Sequence, residues 1–244
     1  MVINWKCTDW KTKPYFQAFI KENNMQKNII HFLIISILAF GCSANEQSTT
    51  ENTKLKEGKS SSEKVEEIET NAVAYFASGC FWCVEAVFES VTGVGDVISG
   101  YSGGKKSNAN YRAVSAGITD HAEAVAVHYD STKIDYPTLL KVFFGSHDPT
   151  TLNQQGPDRG TQYRSAIFYR NQKEKKLAKE YIEQLLTDKV FPKITTEVVG
   201  FDAFYPAEDY HQNYEKKNPN NSYVRNVSIP RLKKFQKQYP ELLK

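Results

Sequence analysis

Two thiols stand three positions apart in the run Gly79-Cys80-Phe81-Trp82-Cys83. A thiol attacks as its thiolate, and an unperturbed cysteine, with a pKa of about 8.5, is mostly protonated at neutral pH. The run reads as one thiol prepared for attack with a second within reach. Taken alone, such a pair suggests a thioredoxin-like oxidoreductase. Phe81 and Trp82 are unusual between such cysteines. Two large aromatics beside a nucleophilic sulfur build an apolar pocket suited to a methyl or thioether group. A Cys pair can also be half of a zinc site, which then needs a second Cys or His pair at ligand spacing. The other cysteines, Cys7 and Cys42, lie in the N-terminal leader, and His31, His121, His128, His147 and His211 are isolated from one another. No metal site is expected.

The elements around the pair must hold it. An apolar, aromatic run ends at Ser78-Gly79, and Val84, Val87, Phe88 and Val91 then recur at i, i+3, i+4 and i+7. That pattern is a strand over about 73–78 feeding a helix that runs to about residue 91, with its apolar stripe on a core. Cys80 falls in the helix's first turn, where unpaired N–H groups and the helix dipole favour an anion, so it is expected to be the readily ionised thiol. After the stop at Thr92-Gly93, a second strand is expected over 97–101, and a loop or short helix over 108–117 carries Tyr111 and Arg112. Residues 122–129 form the clearest strand, with 123, 125, 127 and 129 on one face and 124, 126 and 128 on the other. Helices over 136–146 and 172–186, strands over 163–169 and 197–201, and a polar Gly-rich loop over 153–161 complete the pattern. The tail from Tyr205 is regular only in patches. Strands and helices alternate around one core without internal repeats, giving an α/β or α+β domain over 71–244.

The chain carries 31 basic and 28 acidic residues for a net charge of +3, with no basic run in the domain. Nothing in it suggests a nucleic-acid surface. From Met25 a basic start leads into a mostly apolar run, Ile29 to Phe40, and then Gly41-Cys42, matching a secretory signal peptide. The run is shorter than the ~20 apolar residues a spanning helix needs. Its end resembles a bacterial lipoprotein signal over 25–42 in which Cys42 bears the lipid, although Phe40 is bulkier than usual there. An ordinary signal peptide or a short membrane anchor is the alternative. Residues 1–24 have no place in such a leader and read as an extension from a mis-assigned start. Residues 43–70, rich in Ser, Thr, Glu, Lys and Asn, cannot bury a core and read as a disordered, solvated tether. The expected location is the cell envelope, facing the periplasm as an exported, membrane-anchored lipoprotein.

Five segments resemble, in order, the motifs of the type A peptide methionine sulfoxide reductases: Gly79–Cys83, Gly100-Tyr101-Ser102-Gly103-Gly104, His121-Ala122-Glu123-Ala124-Val125, Gly160-Thr161-Gln162-Tyr163-Arg164-Ser165 and Ala207-Glu208-Asp209-Tyr210-His211-Gln212. The resemblance spans about residues 73 to 220. It implies an α+β fold: a mixed sheet with flanking helices (a ferredoxin-like α/β sandwich) and a long irregular C-terminal tail. It also implies reduction of the S epimer of methionine sulfoxide, free or in oxidised proteins, by a monomer with no bound cofactor.

Residue by residue, the resemblance makes Cys80 the nucleophile and Glu123 the acid that protonates the sulfoxide oxygen. A carboxyl keeps a proton at neutral pH only where burial raises its pKa. Tyr111 and Tyr163 match the tyrosines whose hydroxyls bond the oxygen region. Asp158 matches the polar residue that orients substrate or an active-site water, and Phe81 and Trp82 match the S-methyl pocket. Asp148 reads as a turn residue before Pro149. Many relatives carry resolving cysteines near the C-terminus, whereas Tyr223-Val224 and everything after them contain none. Cys83 is then the thiol placed to resolve a sulfenic acid on Cys80 to a disulfide, which thioredoxin or another external dithiol would reduce. Two other classes stay open: a general CxxC thiol–disulfide exchanger, for which Glu123 has no oxide to protonate, and a non-catalytic lipoprotein binding module, which needs no aromatic pair between its cysteines.

Overall fold

β1 (Ala72–Ser78) is a central strand, hydrogen-bonded on both edges, and its last residues deliver the chain to the thiol pair. The computed structural model describes residues 72–244; the expected leader, lipid site at Cys42 and tether, and the reading of residues 1–24, lie outside the described residues. After β1 come α1 (Phe81–Glu89), β2 (Val94–Ser102), α2 (Tyr111–Ser115), β3 (Ala122–Tyr129) and α3 (Tyr136–Gly145). A short hairpin, β4 (Gln154–Gln155) and β5 (Asp158–Arg159), precedes β6 (Ser165–Tyr169), α4 (Gln172–Thr187), β7 (Glu197–Gly200) and β8 (Phe204–Pro206). The tail adds α5 (Tyr214–Lys217) and α6 (Ile229–Gln238).

The main sheet runs β7-β6-β1-β3-β2-β8. All of its pairs are antiparallel except β6 with β7, which the α4 crossover makes parallel. The fold is thus α+β with a mixed sheet, as expected. Alternation sorts the side chains. Phe76 of β1 packs against Phe88 of α1 and Phe143 of α3, at centroid separations of 5.2 Å each, on the helix-covered face. Ala77, Ala122, Ala124, Ala166 and Phe168 form a small-residue layer on the other face, where Tyr75 stacks on Phe201 at 4.0 Å. Both faces of β3 are therefore buried, and only His128 of that strand is exposed. Glu123, Val125 and Val127 keep the shared face read from the sequence, which turns Glu123 toward α1.

Local chemistry explains the element ends. Asp135 accepts from Thr138 N–H at 2.9 Å to start α3, with Pro137 in its first turn. Asn171 caps α4 through Glu174 N–H, and the Glu174 carboxylate reaches back to Arg170 N–H, one residue before the cap, at 2.7 Å. Gly79 takes φ +87°, and a Cβ there would lie 2.6 Å from Gln155 Cβ, so only glycine turns the chain from β1 into α1 against the β4–β5 hairpin.

Several expected boundaries move. α1 ends at Glu89, short of residue 91, and β2 begins at Val94 because a bulge between Val94 and Val97 lets it pair earlier. Tyr163 lies in a 3-10 turn, and the strand begins at Ser165. The tail is more regular than its composition suggests. It contributes the edge strand β8 and the ten-residue α6, which buries Phe235 with Tyr239 just beyond it. The tail is also tied to α1's C-terminus: Thr92 N–H donates to Leu242 O and Lys244 N–H to Ser90 O.

Candidate active site

Cys80 is the N-cap of α1 and Cys83 lies one turn in; their exposures are 6% and 2%. The first free N–H of α1, on Phe81, does not serve the thiol: it donates to Glu123 Oε2 at 3.1 Å. β3 places Glu123 opposite Tyr101 of β2, and its carboxyl is 1% exposed. Burial pushes its pKa up to about 8, with the Asp158 and Cys83 charges adding to the rise and the Phe81 hydrogen bond opposing it. At neutral pH the group is a protonated acid, as the sequence reading requires.

The thiol expectation needs correcting. Burial, followed by the neighbouring Cys83 and Glu123, holds the Cys80 thiol well above its ordinary value. Cys83 is drawn down to about 6, first by its hydrogen bond with Cys80 and then, against its burial, by the Arg231 charge, Ser228 and Tyr223. The Phe81 N–H at the helix end is spent on Glu123 and does not serve Cys80.

A cavity of about 270 Å³ opens over Cys80, lined by Cys80, Phe81, Trp82, Tyr111, Glu123, Asp158, Tyr163, Asn221 and Tyr223. All the residues singled out in the domain meet here except Cys83, which lies behind the wall with its Sγ 3.9 Å from the Tyr223 hydroxyl. Phe81 and Tyr111 stack at 6.4 Å, and Trp82 lies flat on Tyr214 at 3.7 Å. Trp82's indole N–H donates to His211 Nδ1 at 3.1 Å, which fixes the ring edge-on to Tyr223. Burial, then the Glu123 charge, raises the pKa of Tyr111 to about 12 and raises that of Tyr163, so both hydroxyls remain donors. Asp148 is a turn residue, its carboxylate accepting from Thr150 N–H at 2.9 Å. The arrangement offers a buried acid, two phenol donors, a shielded thiol pair and an aromatic pocket, a set suited to protonating and reducing a polar S=O group within apolar walls.

Residues 72–243 match the family model for peptide methionine sulfoxide reductase. The chain belongs to the peptide methionine sulfoxide reductase family. Among curated members it is 53% identical over 173 residues to peptide methionine sulfoxide reductase MsrA 2 of Synechocystis sp., covering 70% of this chain and 81% of the relative. It is 50% identical over 172 residues to the Deinococcus radiodurans MsrA, covering 70% and 84%. Among solved structures, reduced Mxr1 of Saccharomyces cerevisiae superposes with a TM-score of 0.59 at 36% identity, over 62% of this chain and 88% of that one. Methionine sulfoxide reductase A of Corynebacterium diphtheriae gives 0.56 at 34%, over 63% and 77%.

Within this reductase framework the tail supplies residues that motif reading left without a role. Glu208 accepts both Tyr101 O–H, at 2.8 Å, and Tyr111 N–H, at 3.0 Å, so it sets the start of α2 and the position of Tyr111. Tyr223 donates to Asp158 Oδ2 at 2.5 Å. Glu85, buried on α1, accepts from Ser99 Oγ at 2.7 Å and Asn213 N–H at 2.6 Å, and burial lifts its pKa to about 7. Glu208 and His211 lie inside a recognised motif, which was their available signal. Tyr223 was noted only as a neighbour of the missing cysteine. Glu85 and Arg231 carried no signal beyond their charge.

Proposed function

We propose that this family member reduces the S epimer of methionine sulfoxide, with Cys80 as nucleophile and Glu123 as proton donor. The sulfoxide's methyl rests against Phe81 and Trp82, and its oxygen faces Glu123, Tyr111 and Tyr163. Glu123 gives its proton to the oxygen as the Cys80 thiolate attacks the sulfoxide; the S–O bond of the substrate breaks, methionine leaves, and Cys80 retains the oxygen as a sulfenic acid. The proton that the Cys80 thiol loses on forming its thiolate balances the one Glu123 gives up. Cys83 sulfur then bonds to Cys80 sulfur with loss of water, and a thioredoxin-like dithiol reduces the disulfide. Asp158, held by Tyr223, orients the substrate.

The single observation that carries this reading is the buried Glu123 carboxyl at the cavity wall with its pKa near 8. A disulfide exchanger has no use for it. Incubating the domain with each epimer of a methionine sulfoxide peptide and dithiothreitol should yield methionine from the S epimer only; no conversion of that epimer overturns the reading.

The ferredoxin-like label belongs to the same proposal: within the sheet, β6-β1-β3-β2 follows the order 4-1-3-2 of a β-α-β-β-α-β unit. We read the protein as an exported monomer anchored through a lipid on Cys42, on the strength of the leader residues described above. Intact mass of the protein from membranes should equal the 42–244 chain plus its lipid; a mature chain retaining Trp5 and Trp10 overturns both the anchor and the Met25 start.

A further inference from the structure

Trp82 is a cavity wall that packing alone does not hold. The half-buried ring lines the active-site cavity and also a second cavity of about 190 Å³, which it shares with Glu85, Ala86 and Tyr214. Open space at two places on one side chain forfeits dispersion contacts there. What fixes the ring comes from the tail. Tyr214 lies on the indole face at an interplanar angle of 7°, and His211 Nδ1 accepts the indole N–H at 3.1 Å. Both belong to one short turn, in which Asn213 has φ +56° and ψ +34°, the left-handed region. Asparagine tolerates that region but keeps it only where its surroundings impose it.

The imposing group is Glu85, one turn after Trp82 on α1 and 1% exposed. Its Oε1 accepts Asn213 N–H at 2.6 Å and its Oε2 accepts the Ser99 hydroxyl at 2.7 Å, so one buried carboxyl bonds the turn and β2 together. Gln212 closes the same link: its Nε2 donates to Ser99 O at 2.9 Å, and its Oε1 accepts Ser99 N–H at 2.9 Å. A carboxyl survives in a core only when bonded in this way. The Lys216–Glu89 ion pair at 2.8 Å joins the same helix to the tail, but Lys216 is largely exposed and the pair contributes little. Glu85, Ser99, Gln212 and Asn213 do not line the active-site cavity, so any effect of Glu85 on substrate passes through the turn.

We propose that Glu85 is the positioning residue for Trp82: it holds the 211–214 turn to α1 and β2, and the turn holds the indole where the substrate's methyl group meets it. The effect on substrate rests on Trp82 forming the methyl pocket; the hold on the ring does not. Glutamine at position 85 keeps both bonds, its Oε1 accepting Asn213 N–H and its Nε2 donating to Ser99 Oγ. Methionine has a similar length and keeps neither.

In the full chain carrying Trp5→Phe and Trp10→Phe, Trp82 is the sole tryptophan, and fluorescence reports this ring alone. Glu85→Met should move the emission to longer wavelength and make it more readily quenched by acrylamide, while Glu85→Gln stays close to the parent. With a peptide bearing the S epimer of methionine sulfoxide and dithiothreitol, Glu85→Met should raise KM by about 5-fold or more and leave kcat within about 2-fold. A single methylene-sized contact in an apolar pocket is worth about 10- to 200-fold, and a loosened wall loses part of it. Unchanged emission in Glu85→Met overturns the proposal, as does an equal shift in Glu85→Gln. If Glu85→Met does not fold, Glu85→Asp decides. Its carboxylate is too short to reach both partners, so a shifted emission supports the hold and an unshifted one overturns it. A shifted emission with unchanged KM supports the hold and strikes the methyl-pocket reading of Trp82. Absence of any sulfoxide reduction by the parent strikes the reductase reading and leaves the emission result standing.

Discussion

Cys83→Ser should release one methionine per enzyme molecule and then stall. The first step needs only Cys80 and Glu123, both of which line the cavity, whereas Cys83 lies behind its wall, beside Tyr223. No cysteine follows residue 83 in the sequence, and Val224, beside Tyr223, is completely buried apolar core. With Cys83 replaced, no other thiol among the described residues is left to condense with a sulfenic acid on Cys80. Steady-state turnover driven by thioredoxin should fall by about 100-fold or more, while a single-turnover burst close to one equivalent survives. Rapid-quench counting of methionine, with dimedone trapping of Cys80 read by mass spectrometry, checks both halves. Wild-type cycling by the variant would remove Cys83 from the mechanism.

Glu123→Gln should slow methionine formation by about 10²- to 10⁴-fold, the range a positioned general acid contributes. The amide can still accept from Phe81 N–H, so the geometry is kept and only the proton is lost. In the wild type the rate should fall as pH rises through about 8, where Glu123 ionises; in the variant that falling limb should be absent. Stability supplies an independent readout. The folded carboxyl binds its proton more tightly than an unfolded one of pKa about 4.3. The folded state therefore holds the extra proton, and stability from this group declines as pH rises from about 4.3 to about 8, then levels off. Thermal melts of Glu123→Gln should lack that decline, and at pH 8 the variant should be no less stable than wild type. A full-rate glutamine variant would assign the proton to another group.

The parts of this molecule legible in the sequence are those in which local pattern and tertiary role coincide. β3, α1 with its apolar stripe, and α4 with its cap are readable from nearby residues, while Glu123 was assigned to the site through the family resemblance. The surroundings of the thiols are not local: Phe81 N–H goes to a carboxyl 42 residues later, and the guanidinium held at Ser78 lies 148 residues after Cys83. The tail was obscure for a related reason: Leu232, Phe235 and Tyr239 make a sparse apolar stripe among lysines and glutamines. That stripe becomes a convincing helix only when α1 is present to cover it.

Dependence on the tail has a consequence in the order of synthesis. Cys80 and Cys83 leave the ribosome about 10 to 30 s before the last residue, at 5–20 residues per second. For most of that interval Glu208, His211, Tyr223 and Arg231 do not yet exist, and neither cysteine has its mature surroundings. The nascent segment carries two adjacent thiols open to any oxidant it meets. A premature Cys80–Cys83 disulfide would be the same bond that closes each catalytic cycle. The reductant that sustains turnover would thus also rescue a newly made chain, and a cell short of that reductant should accumulate enzyme that has never turned over.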